Sequence, residues 1–469
     1  MLTHHSALFY SNENCQQLSE ANQSKSEKGF EFQTLNFLTI PVGTIIRLSF
    51  DKSTVKTGCM NNLYKSVENI DVKHFHSRAF KQMLLSPRNN AESHCRKLKL
   101  KIDDQTTKYF AYSNGATTCS GLLSHYEGCL CRCRRSMDYE VLMRKGESKT
   151  PFFSDKDGGV FVKGLSRFII SDDLQVTPLT TAASFSLFSK LGIMDWSGIE
   201  NNIFYLRVDE ALNLLICSSV SKTPLTETLL KHKVATELNT GNFNQGKPVE
   251  YQMEEEKNIR DGKVTIKPMV SKSKKKVCYA EAKKDFMSLL FSFLTIPLGH
   301  FVKQKCSSSL NGCIDHLYKS VQDLDEQCLK TNYHKELLVS PKLASGIGYQ
   351  NDLLGIEEAH PPNYYGGNIG IFAYITSDKS FIPSYESKMI TELKVVDPKS
   401  HYKDGENGEG FITGQAIFTA TDGLIIRPIS PILGLSILNE LKVPFSDIEE
   451  QTMLVCKKEV SFTNLLNSF

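Results

Sequence analysis

The sequence predicts an α+β fold made of two tandem copies of one domain, each with β-hairpins packed on helices. Motifs return in the same order at a nearly constant shift. Strand-like and helix-like runs are grouped rather than strictly alternating, which separates α+β from α/β. Apolar residues fall at helical spacing in some segments and in short β-type runs between turn residues in others. A repeat of close to 250 residues is far longer than the roughly 20–50 residues of a solenoid unit.

Phe37-Leu-Thr-Ile-Pro-Val-Gly43 returns as Phe293-Leu-Thr-Ile-Pro-Leu-Gly299, a shift of 256 residues. Leu63-Tyr-Lys-Ser-Val67 returns as Leu317-Tyr-Lys-Ser-Val321, and Ser86-Pro87 as Ser340-Pro341, both at a shift of 254. Phe161, Gly164, Phe168, Asp172, Leu174 and Pro178 return as Phe411, Gly414, Phe418, Asp422, Leu424 and Pro428 at a shift of 250. The layout that follows is a polar N-terminal tail over 1–29, a first repeat over 30–230 and a second over 262–469. A linker over 231–261, polar and acidic at Glu254–Glu256, joins them.

The second copy is the more complete. Val264–Val270 and Val277–Ala280 flank the basic run Lys272–Lys276 as a hairpin, so that run is a turn rather than a nuclear signal. Phe286, Leu289, Leu290, Phe293 and Leu294 are spaced as a helix, which Pro297 and Gly299 stop or bend. Leu317, Val321 and Leu324 line one face of a second helix, as Leu63, Val67 and Ile70 do in the first copy. Phe372–Ile375 reads as a strand, and Phe411–Phe418 with Leu424–Ile429 as a second hairpin turning near Asp422-Gly423. Two helical segments close each copy. In the first, Leu187, Phe188 and Leu191 share a face, and Asp209 and Glu210 open the second segment where the helix dipole favours acids.

Composition restricts the function classes. The 469 residues carry 55 Lys+Arg against 52 Asp+Glu, and a net charge of +3 gives no bulk attraction to nucleic acid or membrane. The apolar stretch Phe286–Val302 is short and broken by Pro297, so it reads as a buried helix and not as a membrane span. No signal-peptide pattern opens the chain, and 13 scattered cysteines do not form a secreted disulfide framework. The expectation is a cytoplasmic or nuclear protein with reduced thiols, not secreted and without a transmembrane segment or membrane contact. There is no Walker loop, no G-x-G-x-x-G after a strand, no H-E-x-x-H and no G-x-S-x-G elbow.

The most pointed chemistry lies in a Cys-rich loop over 110–137. Cys119, Cys129, Cys131, Cys133 and His125 fall within 15 residues, and thiolates and imidazole are the usual zinc ligands. The tight pair is Cys-x-Cys rather than a Cys-x₂₋₄-Cys knuckle, so ordinary free thiols are the competing reading. Arg132, Arg134 and Arg135 beside these cysteines give a second alternative, phosphate contacts from a ribbon, set against a solvated loop with Glu127, Asp138 and Glu140. Cys59 and Cys313 each follow a glycine at a helix start, where a thiol is either activated or simply a small buried residue. Asp172-Asp173 reads as turn chemistry.

Taken in order, Phe37–Gly43, Asn62–Val67, Phe161–Gly164, Phe168–Leu174, Thr177-Pro178, Glu210–Leu215, Ala280–Ala282, Lys284–Phe286 and Leu290–Gly299 resemble the plant family called domain of unknown function 674. The resemblance runs from about residue 30 to the end. It extends to a Cys-x-Cys element before a Met, here Cys131, Cys133 and Met137. It implies a ribbon whose earlier ligand pair falls near Tyr112 and Cys119. One structural zinc would then sit on Cys119, Cys131, Cys133 and a fourth group, Cys129 first, with His125 or Tyr112 as alternatives. The family's hairpin before the first helix is missing from the first copy.

The leading functional expectation is a non-catalytic tandem-domain protein acting through contacts with an unidentified protein partner. The alternatives are a zinc-stabilised nucleic-acid-binding module over 110–137 and an enzyme with an unrecognised site.

Overall fold

The computed structural model describes residues 9–10, 34–50, 58–112 (apart from 97, 99, 100 and 104), 121–130, 135–143, 160–163, 168–190, 207–230, 264–305, 312–346, 355–360, 363–367, 374–382 (apart from 378), 391–396 and 410–455 (apart from 415). Helices and sheets are both present, and the fold class is α+β.

Among the described residues, the first-half α-helices of eight residues or more are α1 (Val42–Phe50), α2 (Gly58–Asn69), α3 (Arg78–Leu85), α4 (Thr181–Lys190) and α5 (Val208–Val220). In the second they are α6 (Lys284–Ser292), α7 (Leu298–Lys305), α8 (Cys313–Asp323), α9 (Asn332–Val339) and α10 (Pro431–Glu440). The first-half strands are β1 (Phe9–Tyr10), β2 (Phe110–Ala111), β3 (Leu122–Leu123), β4 (Cys129–Leu130), β5 (Ser136–Met137), β6 (Tyr139–Glu140), β7 (Leu142–Met143), β8 (Phe168–Ile170) and β9 (Val176–Pro178). The second half adds β10 (Val264–Ser271), β11 (Lys276–Ala282), β12 (Tyr364–Gly367), β13 (Tyr374–Thr376), β14 (Thr391–Val395), β15 (Phe418–Ala420), β16 (Ile426–Pro428), β17 (Ile448–Glu450) and β18 (Met453–Val455).

One sheet runs β16-β15-β11-β10-β17, with β18 also on β10. A second runs β3-β14-β12-β13-β7, so β3 from the Cys-rich loop and β7 just after it flank, in parallel, three second-half strands with β12 in the middle. A third, β1-β8-β9, takes Phe9–Tyr10 from the segment read as a polar tail.

The two sequence halves do not build separate cores. One core packs Met60, Leu63 and Val67 of α2 against Phe291, Phe411 and Phe418. The other packs Phe161, Phe168 and Leu214 against Leu317, Tyr318 and Val321 of α8. Each hairpin thus lies on the other half's helix, and this explains the repeated motifs residue by residue. In Leu-Tyr-Lys-Ser-Val, Leu and Val are fully buried in both copies. The Tyr hydroxyl ties its helix to the end of the next: Tyr64 donates to the Leu85 carbonyl at 3.0 Å, and Tyr318 to the Val339 carbonyl at 2.8 Å. The Ser oxygen accepts from the hairpin of the other half, from Ile426 N–H to Ser66 at 2.8 Å and from Val176 N–H to Ser320 at 3.0 Å. The Lys points to solvent.

The Ile-Pro-x-Gly motif marks where the halves cross. Val42 N–H donates to the Ile296 carbonyl and Leu298 N–H to the Ile40 carbonyl, around a Pro41–Pro297 bridge. A Cβ on Gly43 would stand 2.8 Å from the Leu294 carbonyl oxygen, and one on Gly299 2.8 Å from that of Leu38. Real side chains do not tolerate that approach, so only glycine lets the backbones meet. The proline separates two helices: α6 stops at Ser292, a short 3₁₀ turn over Phe293–Thr295 follows, Ile296 is extended and α7 begins at Leu298.

Two local expectations need adjustment. The strand expected over Phe411–Phe418 starts only at Phe418, because Ile412 is drawn into a bridge with Phe75 of the other half. Only one of the two closing helices expected in the second copy lies among the described residues. After α10 the chain returns as β17 and β18 along β10, whose edge they pair. In the first copy α4 and α5 are both helices, and Leu191 lies outside the described residues.

Candidate functional site

Of the expected zinc ligands, Cys119, Cys131 and Cys133 lie outside the described residues, as do Arg132 and Arg134. Cys129 is fully buried, on β4 paired with β5, and belongs to the first core. Tyr112 is engaged by Arg135, whose guanidinium donates to its hydroxyl at 2.5 Å and lies 5.3 Å from the ring centroid. Among the described residues no group of three His, Cys, Asp or Glu is placed to hold a metal.

His125 falls instead in a buried aromatic cluster that the sequence did not reveal. Tyr109 precedes β2, His125 and Tyr126 follow β3, and Tyr364 opens β12. The ring centroids of Tyr109 and His125 are 5.2 Å apart, those of Tyr109 and Tyr364 5.2 Å, and those of His125 and Tyr364 5.9 Å. The Tyr109 and Tyr364 hydroxyls face each other at 3.5 Å. Arg88 lies beyond the end of α3 and reaches to 3.6 Å of Glu92, which also holds Arg96 and Thr107.

Burial sets the electrostatics of this cluster. It holds the His125 imidazole well below its ordinary pKa, with the Arg88 charge adding to the effect and the Lys108 backbone opposing it. The Tyr126 and Tyr364 phenols are pushed up, again first by burial. All three are therefore neutral near pH 7. Both ring nitrogens of His125, the Tyr126 hydroxyl and Nε of Arg88 are buried and make no hydrogen bond of acceptable geometry among the described residues. Chemically the cluster is a closed, neutral, donor-rich knot, without the poised general base that proton-transfer catalysis needs. Tyr364 and Tyr109 are 255 residues apart, and no local sequence signal connects them.

The second polar constellation lies where α8 meets the β8–β9 turn. Asp172 accepts from Thr226 N–H at 3.0 Å and from its hydroxyl at 2.6 Å, and burial raises its carboxyl pKa. His316 Nδ1 lies 3.0 Å from Asp173 Oδ2. Cys313, the first residue of α8, donates to the Ser221 carbonyl at 3.1 Å. A Cys, a His and an Asp in one place suggest an activated thiol, yet burial pushes the Cys313 thiol up to about 12, and the carboxylates of Asp173, Asp172, Asp315 and Glu227 add to it. Burial and these carboxylates act against the lowering that a helix N-terminus gives a thiol, and Cys313 sits as a packed residue at the start of α8. The first-half counterpart, Cys59, lies 3.7 Å from the Asp422 carbonyl.

A family model described as "Protein of unknown function (DUF674)" matches residues 25–458. No curated protein and no solved structure matches the chain.

Proposed function

Because the chain belongs to the family described as protein of unknown function (DUF674), whose description assigns no activity, we propose on physical grounds that it is a non-catalytic protein working through contacts with other proteins. The observation that carries this reading is apolar exposure on α10. Ile432 is 79% and Leu435 58% exposed there, and the patch continues onto Ile429 and Ile417, paired across the end of the β15–β16 hairpin. On α4, at the corresponding place in the first half, Phe185 is 64% exposed. Contiguous apolar surface of this kind marks contact sites more often than it decorates an inert monomer. The titratable groups with large shifts, by contrast, among them His125, Tyr126, His300 and Cys313, are sealed in packing.

The test is a photo-crosslinking amino acid placed at Ile432 of the full chain in extract of its own tissue. Discrete crosslinked proteins are expected, competed away by excess unlabelled wild type but not by an Ile432→Ser, Leu435→Ser variant of unchanged thermal stability. Equal competition by that variant would overturn the reading. So would substrate turnover by the purified protein that is lost on Tyr126→Phe.

A further inference from the structure

The tip of the β10–β11 hairpin concentrates positive charge that the whole chain, at +3, does not show. Residues 272–275 form the turn, and Lys272, Lys274, Lys275 and Lys276 are all exposed. The segment after α10 is clasped onto this turn. Asp447 accepts from the hydroxyls of Ser271 at 2.5 Å and Ser273 at 2.7 Å, and from Ser273 N–H at 2.9 Å. Its carbonyl accepts from Lys272 N–H at 2.9 Å. Lys274 Nζ donates to the carbonyls of Leu441 and Lys442.

These bonds bring two further residues to the tip, Lys442 and Phe445, the latter 75% exposed. The nearby acids neutralise part of the charge. The serines and Lys272 hold the Asp447 carboxylate ionised, so it offsets one of the lysines, Glu450 pairs with Lys267, and Asp422 stands 3.7 Å from Lys276 with both side chains more than 60% exposed, where an ion pair is weak. Glu449 and Glu450 are both exposed on β17.

We propose that this tip is a peripheral docking surface for an anionic lipid bilayer. The lysines would lie among the acidic headgroups and the Phe445 ring at the boundary with the acyl chains. A basic turn with an exposed aromatic on the segment bonded to it suits a lipid surface, since a basic cluster with an apolar residue is the pairing that interfacial binding uses. Lysines held near an anionic surface add their attractions, so the exposed ones at this tip act together. No helix among the described residues is long and apolar enough to cross a membrane, and the contact proposed is peripheral. Nucleic-acid phosphates would attract the same lysines but offer no apolar layer for Phe445.

The experiment is co-sedimentation of the purified full chain with vesicles of phosphatidylcholine alone or containing about a third phosphatidylserine. Binding is expected only to the anionic vesicles, weakening as salt shortens the screening length. Lys272→Glu with Lys275→Glu should lower the affinity by about tenfold or more, and Phe445→Ser several-fold, both with unchanged thermal unfolding. Absence of anionic-vesicle binding at low salt would overturn the proposal, as would equal binding by the charge-reversed protein. So would a Phe445→Ser protein that binds vesicles like wild type while duplex DNA competes them away, since that pattern assigns the lysines to nucleic acid.

Discussion

The two places where a helix of one half receives the hairpin of the other share a backbone plan but not a chemistry. Ser66 meets the β15–β16 hairpin as Ser320 meets β8–β9, and both turns place a leucine, Leu424 and Leu174, at positive φ. That conformation is costly for a leucine and persists only where packing dictates it. Around this common frame the side chains diverge. Where Asn62 donates to the Gly423 carbonyl at 2.9 Å, the other junction sets His316 against Asp173. Asp422 is exposed beside Lys276, while Asp172 is buried on Thr226. On the crossing helices, Thr44 donates to the Pro87 carbonyl, and His300 occupies the matching position on α7. The repeated residues specify geometry, and the unrepeated ones decide charge. One junction leaves its charged groups, Asp422 and Lys276, at the surface, and the other holds Asp172 under cover.

The comparison can be broken most directly by cutting the chain. Proteolysis within 231–261, expected from its composition, should leave both fragments together at the size of the intact protein, since each core draws on both halves. They should part only in denaturant. Fragments that separate on native size exclusion would mean that the shared cores do not hold.

The crossing glycines give the next largest effect. Gly43→Ala and Gly299→Ala should each cost about 3 kcal/mol, read from urea unfolding, because the new methyl meets backbone carbonyls. Gly434→Ala, whose Cβ would meet only the Tyr279 hydroxyl at 3.1 Å, should cost clearly less. Three equal values would remove the special status of the crossing.

The smallest effect concerns pH and sharpens the contrast in charge. Burial, with Lys303 adding to it, lowers the His300 pKa from 6.5 to about 4. The unfolded chain therefore takes up this proton before the folded one does. The stability from keeping His300 neutral is complete above about pH 6.5 and is lost as pH falls toward 4, at most about 3 kcal/mol. Buried His125 acts in the same direction. His300→Thr, which copies Thr44, should flatten the fall in urea midpoint between pH 7 and 4.5. An unchanged slope would show that His300 does not carry it.

Periodicity and turn chemistry by themselves determined the class of fold, the α2 and α8 helices with their Leu/Val stripes, and the basic hairpin turn between β10 and β11. These are local matters, settled within a dozen residues by side-chain spacing, proline and the lysine run. The repeats also showed which positions build the fold, but not what each one touches. Tyr64 and Tyr318 could have been plain core residues, and Ser66 and Ser320 plain surface ones. Their partners are backbone groups about 20 residues away for the tyrosines and, for Ser66, 360 residues away. The neutral His125 knot was equally hidden, since its charge state depends on burial under Tyr364 from the far half of the chain. Hydrogen bonds across such separations, and the desolvation that follows from them, exist only once the halves have interlocked; tertiary structure alone decided them.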